Sequence, residues 1–325
     1  MKTKIKALLA TGRISNLPTV WCNCLVAVLI LFHKSDRGLR DFIQQPWSHS
    51  LTELSLYLVV ISSFFYVGGC FSGDYNDRKF DAKHKPYRPI PAGVLSKFTV
   101  LGIALSLTLT AFLAGTIIPT IVIEHVRLNT IQLPVMLLGF SITWYAQYHK
   151  KSPFIGLPLI GLCRFFLVIF AAAAAAILIG EVKGTPDYHY FKSAPFLILP
   201  IILYASAVAI YTIPFASAAR TESSNSPVTW RNLLRYTMLA LPLTALITNQ
   251  SFQIETITAF IIYALWLSYS FSFLSKNKGT YVSKCLAGFC LLDACFVAQF
   301  GWHWLILCLI LFVLALALQK IAPAT

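Results

Sequence analysis

The feature that most constrains this chain is a succession of ten apolar segments separated by polar stretches. A helix that crosses the hydrocarbon of a bilayer needs about 20 consecutive, mostly apolar residues. With 57% hydrophobic and 12% charged residues and a mean hydropathy of +0.71, the chain is predicted to be an all-α, polytopic membrane bundle. The segments are Leu17–Phe32, Leu51–Ser72, Thr99–Val122, Leu133–Tyr148, Phe154–Gly180, Ala194–Phe215, Leu233–Ile247, Ile257–Leu274, Cys285–Phe300 and Trp302–Leu318.

The number of membrane-spanning helices is predicted to be nine or ten. The last two segments are joined only by Gly301, so they could form a tight hairpin or a single bent element. Both alternatives are compatible with the apolar pattern.

The net charge of +14 is explained better by a membrane than by nucleic acid. Most Lys and Arg residues lie in the loops that are cytoplasmic if the N-terminus is inside, as the positive-inside rule requires. We therefore expect a multi-pass protein in the lipid bilayer, the inner membrane if bacterial, that binds no nucleic acid. In this topology the only cytoplasmic carboxylates are those of Asp74, Asp77, Asp81 and Glu222.

Three of these carboxylates share one stretch, Gly73 to Gly93, which reads GDYNDRKFDAKHKPYRPIPAG. Asp74, Asp77 and Asp81 stand at i, i+3 and i+7, which places them within about 60° on one face of a helix. No Gly or Pro interrupts that helix before Lys85, and Pro86 is expected to stop it. Mg²⁺ binds through one or two carboxylates, waters and substrate phosphates, so the stretch indicates a metal–diphosphate site. The alternative is a solvated loop of mixed charge.

The same stretch resembles a known family motif. Asp74-x-x-Asp77-x-x-x-Asp81, followed by Arg88-Pro89-Ile90-Pro91-Ala92-Gly93, is similar to the first aspartate-rich motif of the UbiA superfamily of membrane prenyltransferases. The family usually has N-D-x-x-D-x-x-x-D and then R-P-L-P-x-G, and Gly73 replaces its Asn. The resemblance implies one domain, 1–325, with four-helix halves at about 13–148 and 149–275, additional C-terminal helices at 284–320, and a site between facing loops.

The second motif of the family is reduced in this chain. The family usually has D-x-x-x-D after the sixth span, where this sequence has Arg220-Thr221-Glu222, which resembles the EboC-like branch. Glu222 could bind a second Mg²⁺ or share the first, with Arg220 meeting a phosphate directly. The alternative is that the second metal site has been lost.

Other polar residues are candidates for binding substrate. Tyr148, Lys150 and Lys151 resemble the basic segment with which the family holds a diphosphate, although they could be ordinary cytoplasmic-loop residues. Asn16, Asn23 and Tyr211 are candidates for lining a cavity. His84 and His149 lack the spacing of metal ligands and are predicted to be bystanders.

Arg164 lies within an apolar segment, as does Asp293, and it is expected to face the interior of the bundle. A charge at the centre of a span costs about 2.5–3.5 kcal/mol on insertion scales. Arg164 should therefore lie near a phosphate, backbone carbonyls or Asp293, with which it could form a structural pair.

The resemblance implies Mg²⁺-dependent transfer of a prenyl group from an isoprenoid diphosphate to an acceptor, such as an aromatic ring, within the membrane. The catalytic and metal-binding residues would be Asp74, Asp77, Asp81 and Glu222. The alternative is a catalytically degenerate relative that binds or translocates a polyprenyl-linked or amphipathic molecule. Neither the acceptor nor the oligomeric state follows from the residues.

Overall fold

The computed structural model describes residues 2–34, 48–122, 129–150, 152–183, 195–220, 236–248 and 253–322. Within these ranges every regular element is helical, which confirms the predicted all-α class. The helices are α1 (Lys2–Thr11), α2 (Leu17–Lys34), α3 (Ser48–His84), α4 (Lys97–Val122), α5 (Asn129–Tyr148), α6 (Pro153–Lys183), α7 (Pro195–Arg220), α8 (Tyr236–Ile247), α9 (Ile254–Phe271), α10 (Lys278–Ala287), α11 (Phe289–Val297) and α12 (Trp302–Gln319).

In the described part of the chain, eight helical stretches are long and apolar enough to cross a bilayer. The ten predicted segments all contain helix, but α5 and the shorter α8 are not among those eight. Helices α10 and α11 together make one stretch, Lys278–Phe300. Gly301 separates this stretch from α12 with φ of +122°, a conformation that glycine adopts without steric cost. Because α11 and α12 pack against each other, the two last segments form a hairpin.

The bundle is organised around two interior elements. Helix α2 packs against α3, α6, α7, α11 and α12. In its most apolar section 83% of the residues are buried, the same share as in the stretch made by α10 and α11. In the most apolar sections of α4 and α12 only 17% of the residues are buried. Their exposed apolar side chains suit contact with lipid, so these two helices lie at the periphery of the bundle.

Helices α3 and α4 are in close contact at a glycine. A Cβ atom on Gly68 would lie 2.6 Å from Oγ1 and 3.2 Å from the backbone nitrogen of Thr108. We expect Gly68→Ala to destabilise the protein by about 1–3 kcal/mol, because the packed helices must separate to admit the methyl group. The measurement is thermal unfolding of the purified protein in detergent.

Gly102 is the matched control for this substitution. It lies within α4, and nothing is within 4 Å of a Cβ built there. Gly102→Ala should therefore be neutral or stabilising by about 0.5–1 kcal/mol, since alanine is the better helix former. Equal melting temperatures for the two variants would show that the close approach at Gly68 has no energetic consequence.

Candidate functional site

The candidate site lies on the last turns of α3. The apolar stretch Thr52–His84 has 33 residues, which corresponds to about 50 Å of helix. The hydrocarbon of a bilayer is about 30 Å thick, so α3 extends beyond it. The helix ends at His84, two residues before Pro86, as the sequence predicts.

The three aspartates of α3 all point into the protein. Asp74 and Asp77 are each 8% exposed and Asp81 is 1% exposed. Burial of carboxylates is costly unless they are paired with cations and hydrogen-bonded. We call Asp74, Asp77 and Asp81 the aspartate face.

Two basic side chains each bridge two of these carboxylates. Nη1 of Arg88, in the loop after α3, donates to Oδ1 of Asp74 at 3.3 Å and to Oδ2 of Asp81 at 3.0 Å. Nζ of Lys150, just after α5, lies 2.9 Å from Oδ2 of Asp77 and 3.1 Å from Oδ1 of Asp81. The most buried carboxylate, Asp81, is thus held by both cations.

Arg13 adds a third cation from the turn between α1 and α2. Its Nη2 lies 3.4 Å from Oδ1 of Asp74, and its φ of +46° places the backbone in the sparsely populated left-handed region. Burial alone would lower the pKa of this guanidinium, but interaction with Cys70 and Asp74 holds its pKa above the ordinary value. Arg13 is therefore a permanent positive charge beside the aspartate face.

His149 also contacts the aspartate face, so its prediction as a bystander is wrong. Nε2 lies 3.1 Å from Oδ2 of Asp77, and Nδ1 lies 3.0 Å from the carbonyl oxygen of Tyr145. The ring of His149 thus lies between a carboxylate of the aspartate face and a backbone carbonyl of α5. His84, in contrast, is exposed; its Nδ1 lies 3.0 Å from the carbonyl oxygen of Phe80, and its ring stacks on that of Phe80 one turn earlier in α3. The missed signal for His149 was its position next to Lys150.

The carboxylates and cations of this site differ in how far they are exposed. In the described part of the chain, three carboxylates face the basic side chains of Arg13, Arg88 and Lys150 and the ring of His149. The side chains of Lys150 and Arg88 are 31% and 20% exposed, and that of Asp81 is 2% exposed. An anion that approaches from the solvent therefore meets the cations before the carboxylates.

The structure does not bring every predicted residue to this site. Lys151 and Glu222 lie outside the described residues, and Arg220 ends α7 with no described side chain. Tyr148 is the last residue of α5, and its ring lies 5.7 Å from that of Trp144. Tyr211 is fully buried in the bundle and donates to the carbonyl oxygen of Cys285 at 2.9 Å.

A second polar cluster lies deeper between the helices and contains Arg164. Its Nη1 donates to Oδ1 of Asn23 at 2.7 Å and its Nη2 to Oγ1 of Thr19 at 3.1 Å. Nδ2 of Asn23 donates in turn to both carboxylate oxygens of Asp293, at 3.0 and 2.9 Å, and Tyr204 also donates to Asp293. Arg164 faces the interior as expected, but Asn23 joins it to Asp293 in place of the direct pair considered from the sequence.

Polar side chains of α2 and of the turn before it lie between the two clusters. Thr19 and Asn23 are four residues apart on one face of α2, and Asn16 directly precedes that helix, three residues after Arg13. Nδ2 of Asn16 donates to the hydroxyl of Tyr66 on α3 at 2.9 Å. These polar side chains thus lead from Arg13, beside the aspartate face, to Asn23, which contacts Asp293.

The donor set of the aspartate face fits a hard divalent cation that arrives with a phosphate ligand. Within the described ranges, no group of three or more His, Cys, Asp or Glu side chains is arranged to hold a metal ion by itself. The reason is visible in the contacts, since each carboxylate is turned towards a cation of the chain. Mg²⁺ needs only one or two carboxylates when waters and phosphate oxygens complete its shell, and Asp74, Asp77 and Asp81 can supply them.

Comparison with known proteins identifies the family. The model of the UbiA prenyltransferase family matches residues 42–286, well over half of the chain. The chain belongs to the UbiA prenyltransferase family. The predicted family is confirmed, and the predicted enzyme class, a prenyltransferase, is confirmed at the level of the family. Family and apolar helices together identify an integral membrane protein.

Two further similarities place this UbiA-family protein among its relatives. It is 31% identical over 125 residues to digeranylgeranylglyceryl phosphate synthase of Korarchaeum cryptofilum (strain OPF8), and the match covers 38% of this chain and 41% of the relative. A solved structure described as "Structural and mechanistic insights into the biosynthesis of Digeranylgeranylglyceryl phosphate synthase in membranes" superposes with a TM-score of 0.51 and 16% identity. It covers 92% of this chain and 98% of its own, and at that identity it supports the fold alone.

Proposed function

We propose that this UbiA-family protein transfers a prenyl group from an isoprenoid diphosphate to an acceptor in the membrane, with Mg²⁺ as the metal. The observation that carries the proposal is the aspartate face, where three buried carboxylates are interleaved with three basic side chains at the end of α3. A bound diphosphate needs both kinds of group, because its charge is neutralised by metal ions and by basic side chains together.

Members of this family generally use divalent metal ions, and we assign Mg²⁺ because its preferred ligands are carboxylate and phosphate oxygens. Asp74, Asp77 and Asp81 would hold it, with Glu222 as a further proposed ligand. When bound, the metal stabilises the negative charge that develops on the departing diphosphate.

The chain's own residues would supply the remaining stabilisation. Arg88 and Lys150 stand beside the carboxylates and are partly exposed, so they can bind diphosphate oxygens, and Lys151 and Arg220 remain proposed partners for the same group. Tyr148 stays a candidate at the end of α5. The contacts of Arg164, Asn23, Asn16 and Tyr211 with other protein groups favour a structural role for these four over direct substrate binding.

The chemical class of the acceptor is a separate part of the proposal. The name of the archaeal relative refers to a prenylated glyceryl phosphate, whereas the sequence suggested an acceptor such as an aromatic ring. The partly exposed cations beside the aspartate face, Arg88 and Lys150, favour an acceptor that carries its own phosphate. We therefore propose a glycerol-phosphate acceptor, with an aromatic acceptor as the alternative outcome of the test. By the positive-inside rule we propose that the site faces the cytoplasm.

The test is a transfer assay with membranes that contain the protein. Labelled geranylgeranyl diphosphate is supplied with a prenylated glycerol phosphate or with an aromatic hydroxy acid, and lipid product and released pyrophosphate are measured. We expect product with the glycerol phosphate, a loss of about 100-fold or more when EDTA removes the metal, and recovery when Mg²⁺ is restored.

Membranes without the protein are the control for this assay. Product with only the aromatic acid would correct the acceptor and leave prenyl transfer in place. Binding of the labelled donor without product from either acceptor would contradict the proposal and support the degenerate relative that binds or translocates a polyprenyl-linked molecule.

A further inference from the structure

The carboxylates of the aspartate face are paired with basic side chains of the chain itself. Arg88 links Asp74 to Asp81, and Lys150 links Asp77 to Asp81, through N–O distances of 2.9 to 3.3 Å. The two cations thus contact the same carboxylates that would hold a divalent ion. They are also the groups best placed to bind a diphosphate.

This pairing makes each ligand costly to bind alone. A metal ion on the carboxylates must displace Arg88 or Lys150, which then loses its counter-charge. A diphosphate that attracts the same cations would leave the nearly buried Asp81 unpaired, and an unpaired buried charge is strongly unfavourable. When metal and diphosphate arrive together, both sets of charges are satisfied.

We propose that Arg88 and Lys150 are exchangeable counter-cations, paired with the aspartate face in the free protein and transferred to diphosphate oxygens when metal occupies the carboxylates. Metal and diphosphate then bind with positive cooperativity, each strengthening the other by the same factor. The inference rests on the proposed function, because it assumes that the aspartate face is the metal–diphosphate site.

The positions of the two cations suit such an exchange. Arg88 lies in the loop after α3, and Lys150 lies two residues beyond the end of α5, so neither is within a helix. Their side chains are 20% and 31% exposed, against 11% or less for the three carboxylates. The cations therefore meet the solvent, while the carboxylates lie behind them.

The test uses the purified full-length chain and two separate ligands. Mn²⁺, which shares the oxygen ligands of Mg²⁺, is titrated alone and followed by its electron paramagnetic resonance signal. Labelled inorganic diphosphate is then titrated with and without Mn²⁺ by equilibrium binding. The variants are Arg88→Gln and Lys150→Gln, with Lys79→Gln as a control, since Lys79 is exposed on the same helix and the substitution changes the charge equally.

The two variants should change the affinities for the two ligands in opposite directions. In the natural protein Mn²⁺ should tighten diphosphate binding by about tenfold or more, within the usual range of coupling between sites. Arg88→Gln and Lys150→Gln should bind Mn²⁺ alone more tightly than Lys79→Gln does, bind diphosphate more weakly, and show less coupling. Two variants are used so that a folding defect in one leaves the other informative.

Two different failures can be told apart. If diphosphate and Mn²⁺ bind together but Arg88→Gln and Lys150→Gln weaken Mn²⁺ alone or leave it unchanged, the exchange is refuted while the site remains. If Mn²⁺ never affects diphosphate binding in the natural protein, and Asp77→Asn leaves the binding of both ligands unchanged, the metal–diphosphate site itself is refuted.

Discussion

Asp81→Asn is expected to lower the rate of prenyl transfer by about 10³-fold while the protein stays folded. Asp81 is the least exposed carboxylate of the aspartate face at 1%, and it alone accepts from both Arg88 and Lys150. Asparagine keeps the shape but removes the negative charge, so it weakens the metal site and leaves two cations with one acceptor fewer. Loss of one preorganised electrostatic group costs about 10²–10³-fold in an active site, and here a proposed metal ligand is lost as well.

The measurement is the steady-state rate in nanodiscs, with thermal unfolding of the same samples to establish folding. Glu53→Gln is the matched control, because Glu53 is an exposed acid on the same helix and loses the same charge. Asp77→Asn provides a second test through its contacts with His149 and Lys150. A folded Asp81→Asn protein with the rate of Glu53→Gln would remove the aspartate face from the reaction.

The geometry of the aspartate face could be predicted from the sequence because it is local. Asp74, Asp77 and Asp81 span little more than two helical turns, and only a break in the helix could have separated them on its surface. Pro86 predicted the end of the helix, and in the structure the helix ends at His84. Helix periodicity is thus sufficient to align three side chains of one segment.

The partners of these carboxylates could not be predicted in the same way. Arg13 and His149 are 61 and 72 positions away from the acids that they contact. Nothing in the periodicity of one segment determines which distant loop packs against its end. Lys150 was expected near the diphosphate only through the family resemblance, and its neighbour His149 was set aside because it lacked the spacing of a metal ligand.

For the cluster around Arg164, too, the sequence predicted where the charge lies but not which side chain contacts it. The cost of a charge in a bilayer correctly placed Arg164 in the interior. Asp293 was also a predicted partner of Arg164. The sequence did not indicate that the side-chain amide of Asn23 would lie between these two charges and hydrogen-bond to each of them. Asn23 can do so because its carboxamide accepts through Oδ1 and donates through Nδ2. Its side chain thereby joins α6 to α11 through α2.

Removal of Asp293 is expected to destabilise the protein more than removal of Arg164. An isolated carboxylate can take up a proton, whereas a guanidinium stays charged. Asp293→Asn leaves Arg164 as an uncompensated charge and should cost about 2.5–3.5 kcal/mol, the price of such a charge within a span. Arg164→Met loses interhelical hydrogen bonds, which are worth about 0.6–1.7 kcal/mol in membranes.

The double variant provides the decisive comparison. If Asn23 transmits the interaction between the two charges, Arg164→Met should rescue part of the stability lost in Asp293→Asn, because the unpaired guanidinium is then gone. Thermal unfolding in one detergent gives the three differences, and Glu53→Gln combined with Asp293→Asn should show simple additivity, since distant sites do not couple. A double variant that is less stable than Asp293→Asn by the full cost of Arg164→Met would show that the two charges act independently and that Asn23 only fills space between them.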